Sequence, residues 1–180
     1  MAKICYNGDN TEKRMRKMLK KVRIRIVTDR IDAATGLFDK NATFETKNAE
    51  TEHSEMTVLG RYHDDGIRVA ISYDEGELSG MEGSRTTVSY QKNEPGVITM
   101  LRTGNVKTAL LFEKGRCHEC VYQTPIAHFD VRVQTDEVNN SLEGVGVLYL
   151  DYTVELKGAQ PQRTKMTLTL LPDFDKPQGI

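Results

Sequence analysis

The stretch VGVLYLDYTVELK, residues 145–157, limits what this chain can become more than any other. Leu148, Leu150, Tyr152, Val154 and Leu156 alternate with Asp151, Thr153, Glu155 and Lys157. Side chains of successive strand residues point to opposite faces, so this is a strand with one face buried and one face wet. Thr164, Met166, Leu168 and Leu170 against Lys165, Thr167 and Thr169 repeat the scheme. The same period predicts strands near 22–28, 42–48, 56–62, 67–73, 85–91, 96–102, 107–113, 117–123 and 127–135, before the two late ones at 146–157 and 163–171. Between them stand Asp64-Asp65-Gly66, Glu94-Pro95-Gly96, Thr103-Gly104-Asn105, Lys114-Gly115 and Lys157-Gly158, where glycine supplies positive φ or proline fixes φ. No long helical pattern interrupts the series. A one-faced sheet of hairpins must fold over or close on itself, and closure removes its edges. The expected fold is therefore all-β, an antiparallel up-and-down barrel of about 8–10 strands.

The 180 residues, 38% hydrophobic and 28% charged, suffice for one domain with its own core. Three cysteines, an odd number, and a start without a secretory leader pattern lead us to expect a reducing cytoplasm. No apolar run approaches the ~20 residues of a membrane helix, so no membrane partner is expected. Residues 1–25 carry nine Lys/Arg against Asp9 and Glu12, a net +7, which leaves −8 on the remainder. Met15, Met18, Leu19 and Val22 fall at helical spacing within this basic segment, before Val22, Ile24 and Ile26 switch to period two. The expected organisation is a basic N-terminal arm over 1–20 with a short helix, a barrel over 21–172 and a tail over 173–180. Such an arm could meet a polyanion. Apart from Tyr6 it lacks the interleaved aromatics on which nucleic-acid bases stack, so a solvated arm is the simpler expectation.

Chemistry-bearing motifs are few. Cys117 and Cys120 in GRCHEC have C-x-x-C spacing, but a strand sends residues three apart to opposite faces, and Cys5, His53, His63 and His128 are isolated. The chain continues after Cys120 with VYQTP, which offers no helix whose dipole would activate a redox thiol. Cys120 is expected inside beside Tyr122, with Cys117 outside. The acidic loop YDEGELSGMEGS lacks the order of a calcium-binding loop, and no phosphate-cradling glycine motif occurs. No metal, cofactor or catalytic residue is expected, nor an enzyme.

That same loop carries a resemblance. Tyr73 and Glu75, the run Gly80-Met81-Glu82-Gly83 with Thr86 and Thr87, Arg102-x-Gly104, Gly115, the Tyr122-x-Thr124-Pro125 step and Tyr152 together resemble the YwiB-like family of small bacterial proteins. After the Thr-Pro step the chain departs from that pattern with Ile126 and Ala127. The resemblance implies a calycin, or lipocalin-like, β-barrel and brings no activity or catalytic residue.

Barrels of this size are either filled by side chains or enclose one small ligand. Strand phase sends Ile67, Val69, Ile71 and Tyr73, then Ile98, Met100 and Arg102, with Leu110, Phe112, Tyr122, Phe129, Val131, Val133, Leu148, Leu150 and Tyr152, to one face. The expected site is a cavity for a small amphipathic or anionic ligand. Arg102 is its anion anchor, Tyr122 and Tyr152 its hydrogen-bonding wall, and Tyr73 and Glu82 stand at its mouth. Two other readings stay open. Arg102 could pair with an internal carboxylate such as Glu75 or Glu82 and close the barrel end, or a filled barrel could present its loops and basic arm to a protein or nucleic acid.

Overall fold

The computed structural model describes residues 19–44 and 51–172. Its strands are β1 (Leu19–Asp32), β2 (Glu52–Asp64), β3 (Arg68–Asp74), β4 (Ser84–Gln91), β5 (Glu94–Gly104), β6 (Thr108–Glu113), β7 (Cys117–Gln123), β8 (His128–Ser141), β9 (Val147–Leu156) and β10 (Gln162–Leu171). A single 3-10 turn, Glu77–Ser79, lies between β3 and β4. All ten strands form one antiparallel sheet in the order β6-β5-β4-β3-β2-β1-β10-β9-β8-β7. Chain neighbours are thus sheet neighbours, and β1 pairs with β10 from Arg23↔Leu171 to Asp32↔Gln162.

The two outer strands of that order, β6 and β7, are joined by the turn after Glu113 and, at the other end, by the bridge Lys107↔Gln123. There each N–H donates to the other's carbonyl at 2.9 Å. Between these two pins no ladder joins them, and Thr108 Oγ1 faces Cys120 Sγ at 3.9 Å. The lower half of β8, beyond a bulge between Thr135 and Glu137, turns toward β5 and β6, with Asn140 Nδ2 donating to the Pro95 carbonyl at 2.9 Å. The result is the expected up-and-down barrel, nearly closed, with ten strands.

Period two sorts the wall. Ile24, Ile71, Ile98, Phe112, Leu150 and Leu168 point inward and are fully buried, and Phe112 stacks at a tilt on Tyr152 with ring centroids 4.7 Å apart. The outer face carries Arg25–Glu55, Arg85–Asp74 and Arg132–Glu119 pairs. An apolar inside and a charged outside invert the pattern a lipid-facing barrel requires. Among the described residues no helix is long and apolar enough to cross a membrane. One end of the barrel, here called lower, is closed by Lys92, whose ammonium lies 2.9 Å from Asp64 and 2.6 Å from Glu143 and so ties three turns together. The other end is left for a site.

The strand expected at 42–48 does not form in its described part. Thr43 makes only an isolated bridge to Thr35 and Phe44 N donates to the Ala34 carbonyl, folding this stretch back on itself, while residues 45–50 lie outside the described ones. Ile67 belongs to the β2–β3 turn and is 71% exposed instead of sharing the inward face of Val69 and Ile71. Phe129, also placed on that face, sits near the start of β8 and is 39% exposed. Pro95 is not in the turn but in β5, next to a register shift between Ser89 and Gln91 that absorbs its missing donor; the turn is Lys92-Asn93. Of the expected arm, residues 1–18 lie outside the described residues, as does the tail from 173 on.

Gly60 marks where the wall is tightest. A Cβ there would meet Ile24 Cδ1 at 2.3 Å and the Ser72 carbonyl at 2.7 Å, and the latter is backbone that cannot swing away. Gly60→Ala should lower the unfolding free energy by about 1–3 kcal/mol, an overpacking cost, read as a fall in the urea midpoint at unchanged slope. Thr167→Ala on the outer face should change it by less than about 0.5 kcal/mol.

Candidate functional site

Cross-strand register assembles the site at the upper end. One row of paired residues runs Tyr73↔Thr86↔Arg102↔Thr108 across β3, β4, β5 and β6. A second runs Glu52↔Arg30↔Thr164↔Tyr152 across β2, β1, β10 and β9. Directly opposite residues share a face, so each row delivers an arginine and a tyrosine to the interior. Two compartments of a common cavity separate these rows, of about 80 Å³ and about 330 Å³. Arg30, Ser79, Met81, Arg102 and Tyr152 line both.

Arg102 is the centre of the site. Its Nε lies 3.8 Å from Glu75 Oε1, close enough for charge balance and too far for a hydrogen bond, so that buried Nε has no acceptor. Its Nη2 donates only to Met100 Sδ at 3.3 Å, a weak acceptor. Glu75, just past the end of β3, is nearly fully buried and accepts the Thr86 hydroxyl. Arg30 mirrors the arrangement nearer the rim, with its Nη1 3.6 Å from Glu52 Oε1. Burial pushes the Tyr73 phenol well above its usual range, Glu75 adds to the rise, and Arg102 opposes it. Burial likewise raises Tyr152, against the pull of Arg102 and Arg30. Both phenols therefore keep their protons at neutral pH and can donate hydrogen bonds.

Four of the five expected site residues come together here: Arg102 and Tyr152 line both compartments, Tyr73 the smaller and Tyr122 the larger. Glu82 does not. Its residue is exposed, and its main-chain carbonyl accepts Asn105 Nδ2 at 3.1 Å. Glu75 stands where Glu82 was expected, and the pairing of Arg102 with an internal carboxylate is present. Arg30, Thr164 and Met81 were not expected at the site, although Thr164 was placed on the inward face of its strand. Arg30 continues the inward phase of Ile24, Ile26 and Thr28, a signal hidden by ending that strand at residue 28. Cys120 faces inward and is half-buried, which raises its thiol pKa, while Cys117 is exposed on the other face. Among the described residues no cluster of His, Cys, Asp and Glu could hold a metal ion. The Ile126-Ala127 departure leaves a tight turn intact, since Thr124 N donates to the Ala127 carbonyl at 2.8 Å and Thr124 Oγ1 accepts Ala127 N at 3.0 Å.

A family model described as a domain of unknown function, DUF1934, matches residues 40–168. Among solved structures, the crystal structure of the YwiB protein from Bacillus subtilis is similar, with a TM-score of 0.60 and 16% identity over 87% of this chain and 98% of that one. At that identity the likeness speaks for the fold alone. No curated protein matches.

The Arg102–Glu75 pair sits in the wall, so removing one partner should be far worse than removing both. Glu75→Leu should destabilise the barrel by about 3 kcal/mol because it strands a buried guanidinium, and the double variant Arg102→Met, Glu75→Leu should recover most of that loss. Chemical denaturation of Glu75→Leu, Arg102→Met and the double variant closes the cycle.

Proposed function

The chain belongs to the DUF1934 family, and from that premise we propose that its barrel holds a small amphipathic molecule in the upper cavity, with the molecule's anionic end on Arg102. The observation that carries this reading is the buried Nε of Arg102 without an acceptor, on a side chain that lines a cavity with an apolar side of Leu110, Val131, Val154 and Leu156. A buried donor left unmade costs about 1–3 kcal/mol, and a ligand oxygen would relieve that cost. The planar fork of a guanidinium suits a carboxylate or phosphate better than a neutral acceptor. A compartment of about 330 Å³ lies at the small end of ligand sites, enough for one head group and a short apolar body.

Tyr152 adds a protonated donor beside the guanidinium, and Tyr122 extends the wall. The reading is one of binding and retention. In it the protein is a calycin-type carrier whose ligand enters at the open end of an up-and-down barrel. A cytoplasmic setting is part of the same proposal, supported by the free thiols of Cys117 and Cys120.

Anilinonaphthalene sulfonate, an amphipathic monoanion, provides the test. Its fluorescence should rise to saturation at one site per chain and be displaced by octanoate. Arg102→Ala should weaken that binding about tenfold or more, the scale of a lost charge-assisted hydrogen bond. Val154→Phe, which fills the cavity from the opposite wall, should abolish it while leaving a cooperative melt. Absence of saturable binding, or equal binding by both variants, would sink the reading.

A further inference from the structure

The two compartments differ in charge. The smaller is lined by Arg30 and Arg102 together with Glu52 and Glu75. The larger is lined by the same two arginines, and no carboxylate is among its described lining residues. Each guanidinium therefore has a carboxylate on one side, at 3.6 Å for Arg30 and 3.8 Å for Arg102, and the larger compartment on another. Tyr152 lines both compartments and lies within the electrostatic reach of both arginines. Thr164 and Gln162 of β10 add further polar groups to the same wall.

One arginine is enough for a carboxylate, whose two oxygens a single fork satisfies. Two guanidiniums facing one compartment that has no carboxylate in its own lining suit a head group with more oxygens and more charge than a carboxylate. A phosphate monoester has three terminal oxygens and carries about −1.5 to −2 at neutral pH, with its second ionisation at about pH 6. Resting on the amphipathic-ligand reading and sharpening it, we propose that the head group recognised in the larger compartment is a phosphate monoester dianion held jointly by Arg30 and Arg102, with the Tyr152 hydroxyl donating to it. The apolar side of the compartment, Leu110, Val131, Val154 and Leu156, receives whatever the phosphate esterifies. Arg30 thereby becomes the residue that sets specificity: Arg102 binds an anion, and Arg30 asks for the second charge.

Octyl phosphate and octyl sulfate separate the two demands, because they are alike in shape and the sulfate carries one charge at any working pH. Calorimetric titration below their micelle-forming concentrations at pH 7.5 should show octyl phosphate binding about tenfold more tightly, and at pH 5 that preference should vanish as the phosphate takes up one proton and becomes a monoanion. Arg30→Gln, at a position whose side chain is 40% exposed, should weaken octyl phosphate at pH 7.5 several-fold more than octyl sulfate and so remove most of the preference. Equal affinity of the two esters at pH 7.5, or an equal loss of both in Arg30→Gln, would overturn the dianion proposal and leave the amphipathic-ligand reading standing. Inorganic phosphate identifies the source: binding as tight as that of octyl phosphate keeps the dianion site and removes the apolar body, whereas much weaker binding assigns an apolar ester. If octyl phosphate, octyl sulfate and inorganic phosphate all fail to bind, both readings fall.

Discussion

The pairing of β1 with β10 is the constraint on which the rest depends. Without it the chain would make two separate meanders, β1–β6 and β7–β10, with exposed edges on β1 and β10 as well as on β6 and β7. Joining them turns two meanders into a barrel, gives Ile24, Ile26, Leu168 and Met166 a common interior, and places Arg30 opposite Thr164. It is also the contact with the greatest sequence separation, so it is made at the largest entropic cost and should come late in folding. The site inherits that order. Until β1 and β10 pair, its two arginine-bearing rows do not face each other.

The interior is divided by what each end must do. The middle is filled by Phe112, Met100 and Leu150, and the lower end is tied by one lysine between two carboxylates drawn from different turns. Charges there remain partly in water and act as a clasp. At the upper end the charges sit deeper, and Glu75 and Arg102 balance each other without a direct hydrogen bond. Apolar replacements would pack such a place with less penalty. Retaining a guanidinium and a carboxylate there fits a surface that meets something polar.

Most of the barrel was legible because period two is a local signal. Ten of the eleven expected strands have observed counterparts, found without help from long-range contacts, and the inward placing of Arg102 follows from two steps beyond Met100. β1 and β2 are longer than expected, and the stretch at 42–44 has no strand. Register across strands is not local. Nothing in the neighbourhood of Arg30 announces Thr164 or Tyr152, and Glu75 competes with Glu82 on equal terms until the chain is seen to turn inward directly after β3. Gly83 and Gly104 have a similar explanation. A Cβ on Gly104 would meet the Gly83 carbonyl at 2.3 Å, so two distant segments each need a bare backbone where they cross.

The seam between β6 and β7 gives the molecule a place to open. These strands are covalent neighbours held by a turn at one end and a single bridge at the other, with their middles unzipped. Breaking that bridge opens the upper part of the seam while every ladder, including that between β1 and β10, stays whole, and the covalent turn, the Asn140–Pro95 bond and the Lys92–Glu143 pair keep the lower part shut. A protein of this build breathes at the side and not at its ends. The softest line in its wall runs past Leu110 and Tyr122, beside the larger compartment.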